Sequence, residues 1–204
     1  MSGEYVLILN PDTRLPANGI KNMLSYLFDR PDVGILAPRL VNPDATLQSS
    51  VRRLPTWRNL VREFLGGPSD YRMTGFDFAA VQEVEQPMAS CWLVRRKVFE
   101  TVGRFDEQFP LFFNDVDFCR RVRDAGWKIV YFPDVAVWHY RGASTEQRRT
   151  RMIFDTYQAL FRYFRKYDRS GWFWLKGIPL AIGLELVAIV KVIQTRLHRE
   201  SSAR

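Results

Sequence analysis

Between residues 5 and 37 the hydrophobic period of the chain switches twice, and this limits the fold more than any other feature. Tyr5 to Leu9 is a continuous apolar run that stops at Asn10-Pro11-Asp12. It reads as a buried strand ending in a turn, because Pro11 cannot donate to a ladder. From about Ala17 to Arg30 the apolar residues Ile20, Met23, Leu24, Leu27 and Phe28 recur at helical spacing. That spacing predicts a helix with this face against a sheet. Pro31-Asp32 ends the helix, and Val33 to Ala37 reads as a second buried strand. The β–turn–α–β order predicts an α/β layer arrangement.

The remaining pattern is compatible with that class. Asn42-Pro43-Asp44 is a turn, Leu47 to Val51 suits an edge strand, and Thr56 is placed to cap a helix through Leu65. Gly66-Gly67-Pro68 opens a long loop to about Glu83. Met88 to Val94 reads as a strand, and Arg96 to Val102 as a short helix closed by Gly103. A helix through Ala125 follows Asn114-Asp115-Val116-Asp117, with Gly126 just past its end. Trp127–Phe132 and Val135–Trp138 read as two strands split by Pro133-Asp134, with His139 directly after the second. Residues 147–169 look helical, and Trp172 to Ile193 is strongly apolar but interrupted by Lys176, Pro179, Glu185 and Lys191. The expected division is an α/β domain over 1–145 and a helical, membrane-associated tail over 146–204.

Composition narrows the classes further. With 204 residues, 47% hydrophobic and 25% charged, the chain can bury a sizeable core and is not wholesale disordered. The net charge of +8 suits nucleic acid, anionic lipid or a phosphorylated ligand without choosing among them. Phe161 to Arg169 interleaves bases with aromatics, as single-strand binders do. Its aromatics fall at helical spacing suited to packing, however, and no recognised binding motif is present, so nucleic acid is not an expected partner. Cys91 and Cys119 each lie in an apolar pattern, which predicts buried free thiols and a reducing compartment. Residues 1–9 carry no basic stretch or small-residue cleavage site and do not read as a secretion signal.

Three polar features stand where strands give out or a helix starts: Asp12, the pair Asp115 and Asp117, and His139. Ligand sites of open α/β sheets gather beyond the carboxyl ends of strands. Taken singly, each has an ordinary explanation. Asp12 suits a turn, the paired aspartates suit the positive end of a helix, and a lone histidine is commonly a packed one. As a set they point to one polar site.

At these residues the chain resembles the family 2 glycosyltransferases of GT-A fold, particularly bacterial rhamnosyltransferase-like members. Leu7 to Thr13 is similar to the family's metal-binding strand end, a variant of Asp-x-Asp, and Ala89 to Arg96 to the strand leading into its Arg-Arg turn. Gly103-Arg104-Phe105-Asp106-Glu107, then Phe112 to Arg121 with Ala125-Gly126, then Pro133 and His139-x-x-Gly142-x-Ser144 follow in family order. The resemblance covers about residues 4–165. It departs at Asn114, where the family carries Glu, and at the start: family members open with a nucleotide-binding βαβ portion that this sequence begins after.

The resemblance implies a truncated GT-A-like mixed sheet flanked by helices, with amphipathic and hydrophobic helices at the C-terminus. It implies an inverting transfer of a sugar from a nucleoside-diphosphate-sugar donor to a hydroxyl of a saccharide or lipid-linked saccharide, in cell-envelope polysaccharide synthesis. Asn10 and Asp12 would bind the donor side, and Asp12 with His139 would hold Mn2+ or Mg2+. Asp115 would be the general base, with Asp117 supporting it, and Arg120 and Arg121 would balance these carboxylates. The tail from Trp172 would lie on a membrane surface, at the cytoplasmic face of a bacterial inner membrane, with packing on the domain or pairing with another chain as the alternative. A partner chain could supply the nucleotide-binding portion. The alternative function is that of a catalytically inactive, membrane-bound partner subunit or fragment.

Overall fold

The computed structural model describes residues 3–64, 70–140, 149–169, 171–179 and 181–183. In chain order the elements are β1 (Tyr5–Leu9), β2 (Thr13–Arg14), α1 (Gly19–Phe28), β3 (Val33–Val41), β4 (Val51–Arg52), α2 (Trp57–Phe64) and a 3-10 turn at Asp70–Arg72. Then come β5 (Gln82–Glu83), β6 (Gln86–Pro87), β7 (Cys91–Arg95), α3 (Arg96–Val102), α4 (Asn114–Asp124), β8 (Lys128–His139) and α5 (Arg149–Tyr167). They fall into two compact units, one made of Met1–Phe105 with Asp115–Arg141, the other of Asp106–Asn114 with Gly142–Arg204.

The first unit is a mixed sheet of order β1-β7-β3-β8-β2, with β5 also on β8. Strands β3 and β8 run parallel, while β7 is antiparallel to both β1 and β3. The central strands are buried along nearly their whole length, as continuous apolar runs in a sheet covered on both faces must be. Met23 and Leu27 of α1 pack with Leu36, Leu40, Leu93 and Val137 on one face. On the other, Trp92 stacks on Phe118 of α4 with centroids 6.4 Å apart. Gly34 of β3 lies against Val98 of α3, where an added Cβ would stand 2.8 Å from Val98 Cγ2. The α/β expectation of a mixed sheet flanked by helices therefore holds.

Several local expectations change. The α1 stripe is narrower than the periodicity suggests: Met23 and Leu27 are buried, but Phe28 is 84% exposed and Ile20 42%. The two strands expected around Pro133-Asp134 are one strand, β8. Its pairing with β3 jumps from Pro38↔Phe132 to Arg39↔Ala136, so Pro133, Asp134 and Val135 sit in a bulge that absorbs the missing proline donor. The expected edge strand from Leu47 to Val51 shrinks to a single bridge, Val41↔Leu47, and the two-residue β4 paired with β6. Thr56 does cap α2, accepting the Asn59 N–H at 3.2 Å.

In β7, Arg95 is a structural tie. Its guanidinium donates to the carbonyls of Leu27, Arg30 and Val33 and to the Tyr5 hydroxyl, satisfying orphan acceptors at the end of α1. Both cysteines are buried and unbridged, as expected. Burial pushes the Cys91 thiol up to about 12, so it stays protonated and inert.

In the second unit, α5 buries Ala159, Tyr163 and Phe164. Lys166 reaches the Asp106 carboxylate at 2.6 Å, and Arg162 donates to the Gln108 carbonyl at 3.2 Å. Residues 173–179 and 181–183 are helical, with Trp172, Trp174, Leu175, Ile178 and Ile182 each more than half exposed. Among the described residues no helix is long and apolar enough to cross a membrane. The rest of the apolar tail, Gly142 and Ser144, and Gly66 to Pro68 lie outside the described residues.

Candidate active site

The site forms where β3 and β8 end side by side. At Asn10 the chain turns tightly: the Asn10 carbonyl accepts both the Thr13 N–H at 3.2 Å and the Thr13 hydroxyl at 2.6 Å. This turn feeds β2, whose Thr13 pairs with His139 at the end of β8, and Tyr140 N–H donates to the Asp12 carbonyl at 2.8 Å. Residues 127 positions apart in sequence are thereby set side by side. The Asp12 Oδ1 lies 3.5 Å from His139 Nε2. His139 is buried, Asp12 is open on one side, and Asn10 is exposed.

Two further side chains close around the imidazole. Gln48 Oε1 is 2.7 Å from His139 Nδ1, and Ser90 Oγ is 3.4 Å from Nε2. Both are nearly fully buried. Periodicity gave no warning of either, since their partners lie 91 and 49 residues away. The one available signal was polarity, a glutamine and a serine inside otherwise strand-like runs.

Asp115 occupies the first turn of α4, at the positive end of the helix dipole. It accepts the Gln86 amide at 3.0 Å and the Val116 N–H at 2.9 Å. Burial pushes its carboxyl above the ordinary carboxylate range, against hydrogen bonds from the Val116 and Ala89 backbone and the nearby charge of Arg52. Ala89 is the link between the two halves. Its backbone bonds Asp115, while the next residue, Ser90, touches His139. Asp115 and His139 thus border one short segment ahead of β7, and Asp12 reaches it through His139.

Asp117 has a different setting. It is fully buried, and Arg121 Nε donates to it at 2.9 Å. The other Arg121 nitrogens donate to the carbonyls of Val102 and Arg104, so the ion pair ties α4 to the end of α3. Arg121 balances a carboxylate, as expected. Arg120 pairs with the carboxylate of Asp124, one turn further on, at 2.9 Å.

Asp12 and His139 suit a divalent cation. Two donors bound to one ion at about 2.1 Å and 90–110° stand roughly 3.0–3.4 Å apart. The observed 3.5 Å separation is close to that. One carboxylate oxygen with one imidazole nitrogen matches Mn2+, and Mg2+ through its oxygen. Among the described residues no group of three or more His, Cys, Asp or Glu is arranged to hold a metal.

The sheet and helices are of GT-A type. A crystal structure of GalNAc-T7 with UDP, GalNAc and Mn2+ superposes with TM-score 0.52 over 82% of this chain and 32% of that one, at 11% identity. The sequence of the family described as "Glycosyltransferase like family 2" matches residues 2–154, and the chain belongs to that family. Among curated relatives, the N-acetylglucosaminyl-diphospho-decaprenol L-rhamnosyltransferase of Mycobacterium tuberculosis is 30% identical over 177 residues, 83% of this chain and 57% of the relative. Rhamnosyltransferase WbbL of Escherichia coli is 22% identical over 80% of this chain and 62% of its own length. The low-salt glycan biosynthesis hexosyltransferase Agl10 of Haloferax volcanii is 25% identical over 60% of this chain and 38% of its own length. The chain therefore spans little more than half the length of the mycobacterial relative.

Proposed function

We propose that this protein is an inverting, metal-dependent glycosyltransferase of cell-envelope polysaccharide synthesis. It would move L-rhamnose or a related hexose from a nucleoside diphosphate to a hydroxyl of a saccharide, or of a saccharide carried on a polyprenyl diphosphate. The observation that carries this reading is the juxtaposition of Asp12 with His139 at 3.5 Å, beside the segment that also bonds Asp115.

In this reading Asn10 and Asp12 face the donor diphosphate, and Asp12 and His139 hold Mn2+ or Mg2+. Held by these two side chains, a divalent cation would supply positive charge against the negative charge that grows on the leaving diphosphate. Asp115 takes the proton of the acceptor hydroxyl as that oxygen attacks the anomeric carbon from the face opposite the diphosphate. Its upward-shifted carboxyl supports the role, since a base poised nearer neutrality gains driving force for proton transfer. Asp117, locked to Arg121, is a positioning residue that holds the α4 turn on which Asp115 sits.

The exposed Trp172, Trp174, Leu175, Ile178 and Ile182 support a tail lying on a membrane surface, with Arg165 stationed near Trp174. At the cytoplasmic face of the inner membrane such a tail would bring the site to a lipid-linked acceptor.

The test uses the expressed protein, nucleoside-diphospho-L-rhamnose and a polyprenyl-diphospho-GlcNAc acceptor, with product anomers assigned by NMR. Transfer with inversion is expected, lost on chelation and restored by Mn2+. Chelator-resistant transfer would remove the metal role. Absence of both transfer and donor hydrolysis under every condition would favour the inactive partner-subunit reading, which the departure at Asn114 supports.

A further inference from the structure

Gln48 carries no role in the mechanism above, yet it is 3% exposed and touches His139 through two of its own atoms. The turn after β3 explains how it gets there. Asn42 N–H donates to the Thr46 carbonyl at 2.8 Å, Leu47 bridges Val41, and Gln48 N–H donates to the Leu40 carbonyl at 2.9 Å. The chain folds back on β3 and delivers Gln48 beside the end of β8.

The polar atoms of this turn form a directed series. Thr46 Oγ1 lies 2.6 Å from Asp44 Oδ1, which also accepts the Thr46 N–H at 3.0 Å. These bonds hold the Asp44 carboxyl below the ordinary carboxylate range, so it is an ionised acceptor. The one hydroxyl hydrogen of Thr46 therefore goes to Asp44, and its oxygen can only accept from Asn42 Nδ2, at 2.9 Å. That leaves Asn42 Oδ1 toward Gln48, where it accepts Nε2–H at 2.8 Å. The same Nε2 faces the His139 carbonyl at 3.5 Å, so a flipped amide would set its oxygen against two acceptors. Gln48 Oε1 must then face the ring, and it can only accept. His139 Nδ1 carries the hydrogen across the 2.7 Å contact. In the neutral imidazole, Nε2 is left as the lone-pair nitrogen, with the Ser90 hydroxyl, which can donate to it, at 3.4 Å and Asp12 Oδ1 at 3.5 Å.

We infer that Gln48 is the positioning residue that sets the tautomer of His139, and that Asp44, Thr46 and Asn42 set the orientation of Gln48. An imidazole held this way presents Nε2 to a cation without first moving a proton between its nitrogens. The inference rests on the reading of His139 as a metal ligand.

The two histidines of the chain are His139 and His198, so a His198→Gln background isolates the signals of His139. Two-bond 1H–15N spectra of the neutral ring, recorded without metal, should show the hydrogen on Nδ1 in the parent protein. Gln48→Met removes the acceptor at nearly constant volume and should shift the population toward hydrogen on Nε2. Gln48→Glu keeps an acceptor and should keep the parent tautomer. Mn2+ affinity, read by electron paramagnetic resonance, should fall roughly 10- to 100-fold in Gln48→Met and by only a few fold in Gln48→Glu. Thr46→Val, at the exposed end of the series, leaves the core untouched. It should give a mixed tautomer and an intermediate loss, which keeps the inference testable if Gln48→Met does not fold.

A parent tautomer that persists in both Gln48→Met and Thr46→Val overturns the inference and leaves the proposed function standing. A tautomer that shifts while Mn2+ affinity stays at the parent value supports Gln48 as the residue that sets it and overturns the metal-ligand reading of His139.

Discussion

The pocket at the ends of β3 and β8 and the first turn of α4 each hold acidic groups, but they treat charge in opposite ways. In the strand-end pocket, Asp12 stands open on one side, and His139 is bound into hydrogen bonds that run through Gln48 and Asn42 to the exposed Asp44. In the α4 turn, Asp115 receives neutral amide donors, and burial dominates its titration. Two residues on, Asp117 is more buried still but has a guanidinium against it. Burial alone therefore does not make a reactive carboxylate. What differs is the pairing: Asp115 takes amide hydrogen bonds with the Arg52 charge nearby, whereas Asp117 is bound by a guanidinium that also ties α4 to the end of α3.

The largest effect should come from removing the proton acceptor. Asp115→Asn is expected to lower kcat about 10³-fold while Mn2+ and donor binding stay within a few fold; near-parental turnover would end its assignment as base. Breaking the structural partner should act on the fold instead. Arg121→Met leaves Asp117 buried without its guanidinium and should cost about 3 kcal/mol of stability by urea denaturation. A loss confined to kcat would mean that the two carboxylates are not divided as argued.

In the strand-end pocket, His139→Ala should lower kcat/KM about 100-fold, with partial recovery at high Mn2+. Titration sharpens the contrast further. A carboxyl whose folded value is raised favours the protonated form, so its contribution to stability is present at low pH and is lost as pH rises through the shifted value. Activity runs the other way: turnover should fall as pH drops through that raised value. Gln86→Leu removes a donor to the ionised form, so the acid limb of the kcat profile should move to higher pH, with roughly tenfold less activity just below it. An unmoved limb would show that the profile reports another group. The smallest effect belongs to Ala45, which holds φ at 64° in the turn carrying Asn42 and Thr46. Ala45→Gly should relieve about 1 kcal/mol of backbone strain and leave turnover unchanged.

Much of this was legible in the sequence. The strand of Tyr5–Leu9, helix α1, β3 and the two buried cysteines follow from apolar period, and Asp12, Asp115 and His139 stand out because each interrupts such a pattern. Local rules failed where a distant partner chose the outcome. Phe28 is apolar at the right period yet faces solvent, whereas Met23 and Leu27 are fully buried and Leu24 and Tyr26 pack partly against the core. Pro133 looked like a break between strands, but pairing with β3 carries β8 through it as a bulge. Arg120 and Arg121 are adjacent and chemically alike, and helix rotation alone sends one to Asp124 and the other to Asp117.

Sequence by itself determined the layer class, the stretches that must be buried and the identity of the acidic and imidazole groups, because periodicity and side-chain chemistry are properties of neighbouring residues. Only the tertiary structure decided that β2 brings Asp12 to His139, that the turn after β3 carries Gln48 under the ring, and that Ala89 and Ser90 join this pocket to Asp115. Those are hydrogen bonds and strand registers between segments tens of residues apart, and their geometry exists only once the sheet has closed.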